Sequence, residues 1–180
     1  MIQMNQLETR RLLLRPYTEN DFAAVHAYAS DPFNVRFMTF PPNDEAGTRR
    51  FLAETMRKAA IIPRLAYDYA VVRKDTGALI GGCGLYLEAE QQLGTLGWIL
   101  HRDHWKQGFG TELAGALLHL GFEGLHLPRI EATCHADNYG SYRVMERSGL
   151  RRDGLFPREG GGEEFHYAIL AEEWRAFANH

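Results

Sequence analysis

The chain predicts an α+β domain in which a mixed, mainly antiparallel sheet carries helices on both faces. Three observations carry that expectation. Short apolar runs bounded by turn residues recur along the chain, segments with apolar residues at helical spacing interrupt them, and one passage reads strand, helix, strand. The last pattern requires a right-handed crossover, so the sheet is parallel at that place.

In order, Leu12-Leu13-Leu14-Arg15 reads as a strand ended by Pro16, and Thr18 with Asp21 writes a capping-box start for a helix to about Ser30. Beyond the loop Phe40-Pro41-Pro42-Asn43, Asp44 and Glu45 place acid at the positive end of a helix through Phe51, Leu52, Met56 and Ala59 that ends near Pro63. Tyr67 to Arg73 and Leu79 to Glu88 form a hairpin around the turn Lys74-Asp75-Thr76-Gly77, with Gly81, Gly82 and Gly84 weakening its second strand or marking a bulge. Gly94 to His101 extends the antiparallel meander. A helix with Leu113, Ala116, Leu117, Leu120 and Leu125 on one stripe follows, then the crossover strand Arg129 to His135. Asn138 to Arg147 forms a short helix stopped by Gly149, and strands Leu150 to Arg158 and Glu164 to Leu170 flank the turn Gly160-Gly161-Gly162.

At 180 residues, with 45% hydrophobic content, the chain fits a single domain spanning 1–180 with its core at about 7–175. No run of about 18 apolar residues exists and Met1 to Gln6 lacks a signal-peptide pattern, so a soluble cytoplasmic protein without membrane contact is expected. A formal charge of −3 with scattered Lys and Arg argues against nucleic acid as a partner. Cys83 and Cys134 lie in apolar strand surroundings and read as buried, reduced thiols. His101-x-x-His104 and Cys134-His135 lack a third and fourth ligand at a recognisable spacing, so no metal is expected.

The segment most telling about function is His104-Trp105-Lys106-Gln107-Gly108-Phe109-Gly110-Thr111-Glu112, set between a strand and a helix. Glycines there let the backbone approach a ligand closely, and the helix N-terminus offers free N–H groups and a positive dipole end to a phosphate. By itself the turn is neither a dinucleotide fingerprint nor a Walker loop, and a tight turn without a ligand is its plain alternative. A second helix opens at Asn138-Tyr139-Gly140-Ser141, which puts two helix N-termini at the same end of adjacent parallel strands.

With these marks the chain resembles the GCN5-related N-acetyltransferase (GNAT) superfamily, nearest its RimJ/RimL-type branch. The likeness rests on Leu7-Glu8-Thr9-Arg10-Arg11-Leu12-Leu13-Leu14-Arg15-Pro16, the turn Trp105 to Glu112, Arg129-Ile130-Glu131-Ala132, and Asn138-x-x-Ser141-x-x-Val144-x-Glu146-Arg147-x-Gly149. It implies acetyl-CoA as co-substrate, a sheet splayed between Trp98-Ile99-Leu100 and the strand Arg129 to His135, and transfer of acetyl to a primary amine by direct attack. The implied cofactor residues are Trp98, Ile99, Leu100, Trp105, Lys106, Gln107, Gly108, Phe109, Gly110, Thr111, Asn138 and Ser141. The acceptor is a peptide N-terminus of ribosomal-protein type or, as the alternative, a polyamine or other small amine, and relatives of this branch suggest a homodimer.

Two departures bear on catalysis. Relatives carry an acidic tyrosine seven residues after the asparagine, and Met145 stands there; other relatives carry a glutamate base five residues before it, where this chain has Thr133. Ser141 is therefore the candidate to donate a proton to the leaving sulfur, against a purely local bond to backbone. For the base, His135 and Glu88 are the candidates. Asn138 reads as a cofactor contact, a helix cap, or both. Phe33, Phe37, Met38, Phe40, Tyr86 and the Gly160 to Glu164 turn are expected to wall the acceptor site, with Glu88, Glu163 and Glu164 attracting a cation. The departures also motivate a different reading, an acyl-CoA-binding module without efficient turnover.

Overall fold

The computed structural model describes residues 5–88, 92–158 and 161–178. Its strands are β1 (Leu7–Glu8), β2 (Leu12–Arg15), β3 (Ala66–Arg73), β4 (Leu79–Glu88), β5 (Leu93–Leu100), β6 (Arg129–His135), β7 (Arg151–Pro157) and β8 (Glu163–Leu170). The helices are α1 (Phe22–Ala29), α2 (Pro32–Val35), α3 (Glu45–Ala59), α4 (Phe109–His119), α5 (Tyr139–Arg147) and α6 (Ala171–Ala178). The eight strands form one sheet in the order β1-β2-β3-β4-β5-β6-β8-β7, antiparallel throughout except for the β5–β6 pair. The expected α+β class, with its mixed sheet, is the one observed.

Alternation along β4 decides which helix meets which side chains. Cys83 and Leu85 join the large core with Leu113 and Leu117 of α4, whose full burial contributes about 1.5–3 kcal/mol per side chain. Gly82 faces the other way, toward Tyr17 and Tyr28 of the smaller cluster beneath α1 and α3. A Cβ on Gly82 would collide with the Tyr17 hydroxyl, so glycine is what lets that side chain, in the segment ahead of α1, lie against the sheet. Of the two expectations for the glycines of β4, a weakened strand or a bulge, the bulge is the one observed, and the strand runs continuously from Leu79 to Glu88. The bulge sits beside Gly81: Val71 pairs with Gly81 and Val72 with Leu79, which leaves Ile80 as the extra residue.

At the β5–β6 pair, parallel pairing covers Leu93 with Arg129 through Leu96 with Ala132 and then stops. Beyond that point β5 stays on β4 as far as Leu100, while β6 stays on β8 as far as His135. The sheet therefore opens into a V between Gly97–Leu100 and Thr133–His135. The crossover helix α4 ends in a π-turn, Leu120–Gly124, closed by the Leu125 N–H on Leu120 O at 2.9 Å, where the sequence stripe suggested continuous helix to Leu125. Helices α2 and α6 and strand β1 were not anticipated as separate elements; Trp174 of α6 packs on Phe122 with ring centroids 5.4 Å apart.

Candidate functional site: a glycine turn, a cleft and a gap in the sheet

The turn before α4 is built from two left-handed residues, Lys106 at φ 59° and Gly108 at φ 81°, the second serving as the helix N-cap. Glycine adopts this conformation freely, whereas a side chain strains it by about 1–2 kcal/mol. The first intrahelical bond runs from the Glu112 N–H to Gly108 O at 3.1 Å. The N–H groups of Phe109, Gly110 and Thr111 thus have no acceptor among the described residues, and they open toward solvent at the positive end of the helix dipole.

A clamp from the far N-terminal segment holds this turn in place. Glu112 Oε1 accepts from Thr9 Oγ1 at 2.5 Å and from the Arg11 N–H at 2.7 Å, and Oε2 accepts from Arg11 Nε at 2.6 Å. The same guanidinium donates to Gln107 O at 2.9 Å and lies 4.4 Å from the Phe109 ring centroid. Burial pushes the Glu112 carboxyl upward, yet the Thr9 and Arg11 bonds outweigh it and hold the group below the usual glutamate range. This is the physical content of the Thr9-x-Arg11 and Glu112 marks in the sequence.

Between α4 and α5 lies a cleft of about 810 Å³. Gly110 lets the helices meet closely, since a Cβ there would stand 2.8 Å from Val144 Cγ2. Of the twelve expected cofactor residues, eleven line the cleft: Trp98, Ile99, Leu100, Trp105, Lys106, Gly108, Phe109, Gly110, Thr111, Asn138 and Ser141. Gln107 does not; its carbonyl is taken by Arg11 and its amide donates to Asp103 O, so it props the turn from outside. Sequence reading missed Arg36, Arg143 and Arg147, which bring further positive charge to the cleft. Lys106 and Arg147 have no ion-pair partner among the described residues, which suits an anionic ligand.

A second cavity, of about 120 Å³, occupies the V. Its lining takes Leu96, Cys134 and Met145 from the α4 face of the sheet and Gly97, Thr133 and His135 from the other, so it passes through the gap between the separated strands; Phe37, Met38 and Ser141 line it and the cleft alike. Ser141 lies beside Cys134, whose thiol burial pushes up to about 11 against the opposing pull of that serine.

Comparison with known proteins fits this geometry. Residues 11–151 match the acetyltransferase (GNAT) domain family. The chain belongs to the GNAT acetyltransferase family. The uncharacterized N-acetyltransferase YnaD of Bacillus subtilis (strain 168) is 32% identical over 173 residues, covering 93% of this chain and 98% of that protein. The structure of a GNAT-family acetyltransferase from Bacillus anthracis superposes with a TM-score of 0.83 at 30% identity, over 93% of this chain and 99% of the other. Two structures from Vibrio cholerae share the fold: a protein assigned as a ribosomal-protein-serine acetyltransferase (TM-score 0.78, 22% identity, 92% and 97% covered) and a spermidine N-acetyltransferase in complex with CoA and spermine (TM-score 0.78, 18% identity, 93% and 99% covered).

GNAT proteins use acetyl-CoA, and the free amides, the cationic cleft and the unpaired stretch of β5 fit a long, phosphate-bearing molecule. No group of three or more metal-ligating side chains occurs among the described residues. Neither do they include a helix long and apolar enough to cross a membrane. Asn138 caps α5, its Oδ1 accepting from the Ser141 N–H at 3.2 Å, and it lines both cavities, so its two expected roles coexist geometrically.

The two candidate bases fare differently from Ser141, which stands where the cleft meets the gap. Glu88 is exposed and pairs with Leu93, roughly 13 Å along the strand from Gly97 by strand rise. It lines neither cavity, because β4 and β5 meet in a hairpin at the end remote from the V. His135 lines the gap and stacks on Phe37 at 5.2 Å, but its Nδ1 accepts from the Asp137 N–H at 3.1 Å. The neutral ring then carries its proton on Nε2, the nitrogen that lies against Gly162, which makes that atom a donor rather than a proton acceptor. Of the expected acceptor walls, Glu164 lines the gap, Phe37 and Met38 line both the gap and the cofactor cleft, Phe33 lines the cleft alone, Tyr86 lines neither, and Phe40 is exposed. Gly160 lies outside the described residues.

Proposed function

We infer that this chain transfers acetyl from acetyl-CoA to a primary amine by direct attack, as a RimJ/RimL-like member of its family. The observation that carries the reading is the continuous path from a phosphate-ready helix N-terminus, along the unpaired β5 stretch, into a gap that pierces the sheet beside Ser141. Bound acetyl-CoA supplies an activated acetyl thioester. The chain's part is to hold the phosphates on the amides of Phe109 to Thr111 and its cations, to line the thioester arm with Trp98, Ile99 and Leu100, and to offer the Ser141 hydroxyl as donor to the departing sulfur.

The acceptor reading is a peptide N-terminus of ribosomal-protein type, supported by the fold neighbour assigned that activity, with a polyamine supported equally by the spermidine acetyltransferase neighbour. Thiol release from acetyl-CoA, followed with peptides beginning in Ser or Ala and with spermidine and spermine, decides. Release with one class names the acceptor. Tight acetyl-CoA binding without release across the panel overturns the enzyme reading and leaves a cofactor-binding module, the alternative that Met145 and Thr133 raise.

Ser141→Ala is expected to lower turnover about tenfold, the worth of one hydrogen bond in the transition state, while acetyl-CoA affinity stays within about twofold. An unchanged kcat demotes the serine to a residue of the first turn of α5.

A further inference from the structure

With Glu88 remote and His135 set as a donor, the acceptor ammonium still needs somewhere to leave its proton. The sheet rows show which groups are near. Asp68 of β3 pairs with Gly84 of β4, which pairs with Gly97 of β5, the first residue past the last parallel pair and part of the lining of the gap. These three share one face of the sheet, the face turned away from α4, and the two glycines leave it bare. Across that bare strip lies the Tyr86 ring. A Cβ on Gly97 would sit 3.5 Å from Tyr86 Cε2, and one on Gly84 would sit 2.6 Å from Tyr86 Oη. The hydroxyl donates to Asp68 Oδ1 at 2.6 Å. The edge of the Tyr86 ring therefore lies beside Gly97 at the margin of the gap, with its hydroxyl turned over Gly84 to Asp68 of β3; neither side chain lines either cavity, and Tyr86 is 39% exposed.

We propose that Tyr86 and Asp68 form the proton exit for the acceptor amine. The proposal rests on the acetyltransferase reading above and deepens it. The acceptor arrives as a primary ammonium and donates an N–H to Tyr86 Oη. Its proton passes to that oxygen as the phenolic proton moves to Asp68 Oδ1, leaving a neutral amine with a free lone pair and a neutral carboxylic acid, which then returns its proton to water. Tyr86 is the group that touches substrate, and Asp68 acts through it. The surroundings suit both roles. Burial, outweighing the Tyr86 bond and the charges of Lys58 on α3 and Arg64 ahead of β3, holds Asp68 above the usual carboxylate range. Burial and the neighbouring Asp68 keep Tyr86 protonated, so it relays rather than ionises; Tyr17 ahead of α1 and Tyr28 of α1 are the other titratable groups acting on the pair from the same face, while Cys83 of β4 and Tyr69 of β3 act from the α4 face of the sheet.

The test is kcat/KM against pH for Tyr86→Phe and Asp68→Asn in the full chain, with the acceptor that the panel assay selects and with acetyl-CoA affinity measured by calorimetry. Each variant is expected to lose about 100-fold at pH 7, and the deficit is expected to shrink as pH approaches the amine's own pKa, about 8 for an N-terminus and about 10 for an alkyl amine, because free amine then needs no acceptor. Acetyl-CoA affinity stays at the wild-type value. A wild-type pH profile in either variant, or a deficit that is equal at every pH, overturns the proton exit while leaving the acetyltransferase reading in place. Absence of transfer by the wild type with every amine overturns that reading, and the proton exit with it. Phe at 86 preserves the ring, so that arm stands even where Asp68→Asn impairs folding.

Discussion

Gly108→Val is expected to raise the acetyl-CoA dissociation constant at least about 100-fold while the protein stays folded. The residue holds φ 81°, which a β-branched side chain resists, so the turn relaxes away from the geometry that aims the Phe109, Gly110 and Thr111 amides outward. Two charge-assisted bonds to phosphate at about 1.5 kcal/mol each amount to about 3 kcal/mol, or roughly 100-fold in affinity. The fold survives because the position is exposed and a Cβ there meets only the end of Arg11, at 3.3 Å from Nη2. Gly110 is the instructive contrast, since its Cβ would press on Val144 and separate α4 from α5. Calorimetric titration with acetyl-CoA checks the first substitution, and an unchanged affinity would remove the turn from the cofactor site.

Glu112→Gln is expected to destabilise the protein by about 2 kcal/mol, seen as a Tm lower by roughly 4–8 °C in a chain of this size. The amide that replaces Oε2 turns a donor toward the Arg11 Nε donor, while the oxygen that remains still accepts from Thr9 and the Arg11 N–H. Arg11 is partly in water, with 35% of its side chain exposed, which keeps the figure toward the lower end for a charged bond. The pH sign follows from the depressed carboxyl. Its stabilisation is fully present above an ordinary glutamate's 4.5 and is lost as pH falls through the lower folded-state value. Wild type and variant should therefore differ at pH 7 and draw together as pH falls below the ordinary glutamate value; a difference that does not shrink in acid would show that the carboxylate is not its origin.

Much of the fold was legible because the signals are local. The Lys74 to Gly77 turn, the stripe from Leu113 to Leu125 and the Arg129 to His135 run each state their element within a dozen residues, and their order dictates the crossover. What escaped is either short or decided by packing. Pro32–Val35 holds a single turn, and α6 opens on Glu172 and Glu173 with only Trp174 and Phe177 to show an apolar side, so it reads as a polar tail until Phe122 receives Trp174. The π-turn at Leu120 keeps the helical stripe while changing the hydrogen-bond register, which no spacing rule separates from α-helix.

The site divides in the same way. Gly108, Gly110 and Asn138 declare themselves by conformation and capping, which neighbours in sequence determine. The clamp between Arg11 and Glu112 joins residues 101 apart, and the Tyr86–Asp68 pair spans a hairpin, so neither exists until strands pair. Glu88 offers a carboxylate at a strand end, and only the register of β4 on β5 shows that this end is the hairpin rather than the V. His135 does line the gap, but its use of Nδ1 depends on the Asp137 amide and the turn that follows β6.

The divergence of β5 from β6 has one further consequence, concerning bound ligands. Peptide groups past Leu96 form an unmated sheet margin, the kind of surface that invites a second chain to add itself. Here that margin faces the gap between two half-sheets rather than an open edge, and a cavity of about 120 Å³ occupies it. A ligand that reached from the α4 amides into this gap would gain backbone groups of β5 as further partners, which one confined to the helix N-terminus would not.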